Sequence, residues 1–306
     1  MGTPAEPPRD TASLRGSRRS SRRLPRRTAA GRRTFTSTLK ALDELAATGA
    51  KVSVRVDDLD RGTAVISGDD FVTLPVAGLG IVPLLIEVAA EIDAGTLDAL
   101  EIIDRGTIDR VEVGGLWQHL KAPALPIVDL AVLAAGGGDA SAANALMAKV
   151  GLPAVRDRIE QLGLERSALI DRFRDVRGPD DAPQVALGTT RELAHLFAAL
   201  VNSEVVTPAV SAQVAEWLSL NHDLSLVASA TGLDPFAHFN DEHGLLFINK
   251  TGRDAGIRAE AGVIAGPRAG LSYALTVCFD DLSIMHRLRA HEAFRTLGVE
   301  LMEYVF

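Results

Sequence analysis

With 306 residues, 47% of them hydrophobic and 24% charged, the chain can bury a substantial core, and fibrous or wholly disordered classes are excluded. Its formal net charge of −8 is unevenly spread, because residues 1–33 hold ten arginines against only Glu6 and Asp10. The rest keeps 22 of the 32 basic and 38 of the 40 acidic residues, a formal −16, so nucleic-acid binding by the folded part is disfavoured.

Residues 1–33 are rich in Pro, Ser and Arg and nearly free of large apolar side chains, which leaves nothing to offset their ordering entropy. A disordered tail is expected there, followed by one domain over 34–306. Arg32-Arg33-Thr34-Phe35 looks like a twin-arginine export signal, but Lys40, Asp43 and Glu44 interrupt the apolar stretch such a signal needs. A cytoplasmic location is therefore expected, and the abundance of Ala, Gly, Asp and Arg beside five lysines suggests a GC-rich bacterial genome.

Leu39, Leu42, Leu45 and Ala46 recur at helical spacing, with Thr36 or Ser37 placed to cap the first turn. Val52, Val54 and Val56 then alternate with Ser53, Arg55 and Asp57, and Arg61-Gly62 turns the chain into a second strand, a hairpin with one buried face. Phe71 to Ile86 is uncharged but short and holds Pro75 and Pro83, which makes it core and not a membrane span. From about 70 to 205 the pattern is helical: an apolar stretch through Leu84, Leu85, Val88 and Ala89, a helix capped by Asp139, and further periods over Leu152–Leu162 and Arg191–Leu200. Strand patterns resume at Leu245–Asn249, Gly256–Ile264 and Ser272–Phe279, where Cys278, the sole cysteine, reads as a small buried hydrophobe. A last helix sets Ile284, Leu288, Phe294, Leu301 and Val305 on one stripe. This order predicts an α+β fold, with a five-stranded antiparallel sheet, terminal helices on one face and an all-helical lobe on the other side.

Three separated stretches carry a resemblance. Leu74-Pro-Val-Ala-Gly-Leu-Gly-Ile-Val-Pro-Leu-Leu85 resembles A-S-x-x-K-x-P-L-L, Gly138-Asp-Ala-Ser-Ala-Ala-Asn144 resembles S-D-N-x-A-A-N, and Asn249-Lys-Thr-Gly252 matches K-T-G. In this order the chain resembles the class A β-lactamases of the penicillin-recognising serine hydrolases over about residues 36–304, which implies a β-lactamase/transpeptidase-like fold.

The same resemblance exposes departures. The nucleophilic serine falls on Gly78 and its lysine on Ile81; the second motif's serine and asparagine become Gly138 and Ala140. Ile170-Asp-Arg-Phe-Arg-Asp-Val-Arg-Gly178 resembles L-D-R-W-E-P-E-L-N, which puts Arg174 at the deacylating glutamate. Acyl transfer needs an attacking oxygen and a proton acceptor, and none of these side chains provides either. No catalytic residue and no crevice hydroxyl beside a general base are therefore expected.

What the resemblance retains is an anion site. Lys250, Thr251 and Gly252 inherit carboxylate binding, the backbone N–H groups of Gly78 and Arg253 the oxyanion hole, and Asp139, mainly structural in the family, is expected beside the bound ligand and is counted among the ligand-binding residues. Arg174 would bring a second positive charge. A small anionic ligand is expected, with no cofactor and no metal. Trp117 is read as packing or cleft mouth, and His238, Asp241 and His243 as polar loop residues without metal-ligand spacing; His222-Asp223 could serve as a base and its orienter, but residues adjacent in sequence rarely meet in that arrangement. Three functions stay open: a degenerate β-lactamase-fold binder of a carboxylate- or amide-bearing ligand or partner, a repurposed enzyme of small-molecule biosynthesis working without acyl-serine chemistry, and a scaffold whose basic tail holds an anionic partner.

Overall fold

A computed structural model of the chain describes residues 35–109, 111–112, 114–238, 244–280 and 283–306; the expected Arg-rich tail lies outside the described residues. The opening helix is α1 (Thr36–Ala46), and the valine alternation lies on β1 (Lys51–Asp58), which returns as β2 (Thr63–Gly68). Three long strands follow much later, β3 (Leu246–Asp254), β4 (Ile257–Ala265) and β5 (Gly270–Cys278). All pair antiparallel in the spatial order β2-β1-β5-β4-β3, the sheet the sequence predicts.

Strand alternation sorts side chains into two cores. Val54, Val56, Phe247, Tyr273 and Leu275 face α1 and the last helix α8 (Ile284–Val305), with Phe294, Leu297, Leu301 and Val305 filling that layer. Ala259, Ala261 and Ala274 point the other way, and their small size lets α6 (Thr190–Val201) lie close on the sheet. Both faces of β1 are covered, contrary to the single buried face expected: Ser53 is buried and shares a 2.7 Å hydrogen bond with Thr190. Its hydroxyl is satisfied there, so a polar residue is tolerated inside.

Two further expectations need correction. Neither Thr36 nor Ser37 caps α1; Glu300 of α8 accepts hydrogen bonds from the Ser37 and Thr38 N–H groups at 3.1 and 2.9 Å. Ile284 and Leu288 are 61% and 57% exposed, and the buried stripe consists of Ala290, Ala293, Phe294, Leu297, Leu301 and Val305. Ile284 and Leu288 lie in the first turns of α8, before its buried stripe begins at Ala290.

The lobe is built on α2 (Ile81–Asp93), whose residues Ile81 to Ala90 are all buried. Pro83 sits in its first turn, where a missing N–H costs no helical hydrogen bond. Around it pack α3 (Ile127–Gly137), α4 (Ala140–Val150), α5 (Leu152–Gln161) and α7 (Pro208–Ser219). The lobe is not all-helical, since Leu74–Pro75, Ala168–Leu169 and Ala186–Gly188 form one short sheet and Ile102–Asp104 pairs with Ala124–Pro126.

Candidate functional site

A short 3-10 turn, Ala77–Gly80, leads into α2 and lies against β3. Ala77 holds φ +47, a strained value for a residue with a side chain. The strain turns Gly78 toward the strand. A Cβ on Gly78 would stand 2.9 Å from the Thr251 carbonyl oxygen, and one on Gly252 would stand 2.1 Å from the Val76 carbonyl oxygen. Two backbones thus meet where glycine stands on both sides.

Lys250 projects from β3 toward the lobe and is 1% exposed. Its neighbour there is Gly138, which caps α3 at φ +64 and whose absent Cβ would be 3.4 Å from the ammonium. Among the described residues, no oxygen accepts a hydrogen bond from this ammonium. Burial pulls the Lys250 pKa down to about 8, against the opposing attraction of Asp223.

The other face of β3 carries Thr251 and Arg253, and both donate to one carboxylate. The Thr251 hydroxyl reaches Asp223 at 2.6 Å, and the Arg253 guanidinium contacts Asp223 and the Ser225 hydroxyl. Burial alone would raise the Asp223 pKa, but the Thr251 hydroxyl and the Arg253 charge outweigh it and hold the carboxyl below the usual range. A hydroxyl therefore does meet a carboxylate at this strand, on the face opposite Lys250. A carboxylate so stabilised is a weak base.

Beneath this pair, Asn221 donates to Asn249 and Asn249 to Glu260, each at 2.7 Å, while Tyr273 and the Val227 N–H donate to the same carboxyl. Full burial raises the Glu260 pKa to about 7 against these three donors. The network fixes the loop 221–227 to β3 and β4, and so places Asp223.

Asp139 is buried, and both oxygens are taken by backbone N–H groups, Ala142 at 2.9 Å and Trp117 at 2.7 Å. Gly115, at φ +126, packs so tightly on this carboxyl that a Cβ would come within 2.5 Å of it. These two bonds tie Asp139 to the first turn of α4 and to the Trp117 backbone, a structural role. Arg174 is paired with Asp171 at 2.9 Å and Asp181 at 3.1 Å, so its charge is neutralised within its own loop instead of being offered to the cleft. That loop is held to α4 by Asn144, which donates to the Phe173 carbonyl and accepts from its N–H.

Trp117 is fully buried in the lobe core. His222 stacks on Phe236, and His238 is buried, whereas Asp241 and His243 lie outside the described residues. Among the described residues no group of three metal-binding side chains comes together. Cys278 is half-buried, and burial pushes its thiol up to about 11, which leaves it unreactive. Asp223, Asn221 and Glu260 are what the motifs missed. The only signal for them was a polar His-Asp pair that spacing could not connect to β3.

The model of the beta-lactamase enzyme family matches residues 34–305. The chain belongs to that family. Among solved structures it is similar to a beta-lactamase from Sphaerobacter thermophilus, at 21% identity and a TM-score of 0.77, covering 88% of this chain and 97% of that one. PBP-A is similar at 17% identity and 0.71, covering 88% and 95%, and a beta lactamase from Xanthomonas campestris at 16% and 0.71, covering 89% and 99%. No curated protein matches the chain. At these identities the likeness establishes the beta-lactamase fold. Within it, the Ala77–Gly80 turn packs directly on the Thr251–Gly252 backbone.

Proposed function

We propose that this member of the beta-lactamase enzyme family is catalytically degenerate and binds a small anionic ligand, or an anionic group of a partner, in the former active-site cleft. One observation carries the reading: Lys250 is 1% exposed, and among the described residues its ammonium has no hydrogen-bond acceptor. An uncompensated buried charge is costly, and an incoming anion removes that cost. The sequence supports the absence of acyl-serine chemistry, because Gly78 and Ile81 stand where the nucleophile and its lysine would be and Arg174 where the base for water would be. Ile81 is wholly buried in the lobe core, so nothing basic adjoins Gly78 on α2.

The repurposed-enzyme alternative gains one observation, the Thr251–Asp223 pair at 2.6 Å. The depressed Asp223 pKa makes proton abstraction from a hydroxyl unfavourable, so binding remains the better-supported function.

Nitrocefin should be turned over no faster than in buffer, and benzylpenicillin should leave no covalent mass adduct. Gly78→Ser should not restore either, since the proton acceptor is still missing. Inorganic sulfate should bind below pH 8 and weaken about tenfold for each pH unit above it, as the Lys250 ammonium loses its proton. An acyl adduct, or sulfate affinity that is flat between pH 7 and 10, would contradict the proposal.

A further inference from the structure

The anion site already has an occupant on one side of its strand. Thr251 and Arg253 are the neighbouring side-chain donors on β3, and both are engaged by Asp223. Thr251 is buried, its single hydroxyl hydrogen is committed at 2.6 Å, and the Arg253 guanidinium is further fixed by Ser225. The carboxylate is held by its loop: the His222 N–H donates to the Gly136 carbonyl, and Asn221 is locked to Asn249. Lys250, on the opposite face, is left without such a partner.

We propose that Asp223 is a specificity-determining residue, a resident carboxylate that fills the Thr251–Arg253 half of the site and leaves Lys250 as the one donor side chain open to an incoming anion. This rests on the anion-binding reading above and deepens it. An anion approaching Lys250 meets two penalties: repulsion from Asp223, and donors that answer only if Asp223 gives them up. Arg258 and His291 also lie within the electrostatic reach of this cluster, but neither displaces Asp223 from Thr251. The cleft therefore discriminates against ligands that need a hydroxyl and a guanidinium together. It favours those satisfied by one ammonium and backbone N–H groups.

The test is the Kd of inorganic sulfate at pH 6.5, where Lys250 is charged with or without Asp223. Asp223→Ala frees both donors and removes the charge, so sulfate should bind at least tenfold more tightly. Asp223→Asn removes the charge but keeps an acceptor for Thr251, so its affinity should fall between that of Asp223→Ala and the wild type, and it carries the test should the alanine variant fail to fold. Glu44→Gln on α1 changes net charge by the same amount at an exposed site and should leave the Kd within twofold. Tightening by Glu44→Gln equal to that of the Asp223 variants would reduce the effect to net charge and overturn the assignment. Wild-type binding that is lost in Lys250→Met but unchanged in both Asp223 variants would sink the assignment while leaving the anion cleft standing. Failure of every chain to bind sulfate would sink both.

Discussion

Lys250→Met should stabilise the protein by about 3 kcal/mol at pH 7 and abolish sulfate binding. The folded chain holds this ammonium at a pKa of about 8 against 10.5 for the ordinary side chain, and each pKa unit is worth about 1.4 kcal/mol. The sign follows from linkage. Because the folded-state pKa is lowered, the folded chain carries the full cost of the charge below pH 8. That cost fades as the pH rises from 8 toward 10.5. The gain in Tm from methionine should therefore be largest at pH 6 to 7.5 and nearly gone at pH 10.5. Methionine has similar length and flexibility, so the site should repack without a cavity. Denaturant melts at the two pH values check this; a variant that is less stable than wild type at pH 7 would mean that Lys250 has an internal partner. A residue that destabilises its own fold, yet sits on the cleft wall, is explained by ligand binding and not by packing.

The second large effect is expected at Gly252. A methyl group there would lie 2.1 Å from the Val76 carbonyl oxygen, a backbone atom that cannot rotate away. Gly252→Ala should force β3 and the Ala77–Gly80 turn apart and cost about 3 kcal/mol, at the upper end of overpacking penalties. Sulfate affinity should fall with it, since the Gly78 and Arg253 N–H groups separate. Gly78→Ala is the milder companion, with 2.9 Å to the Thr251 carbonyl oxygen, and should lose less than half as much stability. Equal losses from the two would show that the contact yields easily and that neither glycine is required by it.

Most of the fold was legible because it depends on local pattern. Alternating valines gave β1, Asp139 announced α4 by its capping position, and the Lys-Thr-Gly run fell on a strand whose apolar neighbours Phe247 and Ile248 marked it. The helix α3 escaped because Ile127 to Ala135 is apolar on nearly every face, so it has no periodic contrast to detect. The helix α7 was marked by Thr207-Pro208, a cap followed by proline, but its apolar period is weak. In the site, Lys250, Thr251 and Gly252 could be named because they are contiguous. Asp223 could not be assigned, because its bond to Thr251 exists only once the Asn221–Asn249–Glu260 network has docked the loop. Arg174 was legible as a charge but not as a paired one. Its partners Asp171 and Asp181 are in the same short loop, and only folding decides which arginines they neutralise.

The most direct measurement is an NMR titration of the lysine side chains with and without sulfate. The chain has five lysines, and the other four are exposed, so one resonance should stand apart. It should titrate near pH 8 in the free protein and move upward by a unit or more when sulfate is bound. If all five titrate near 10.5 and none responds to sulfate, Lys250 is not a buried receptor for an anion and the proposed function falls with it.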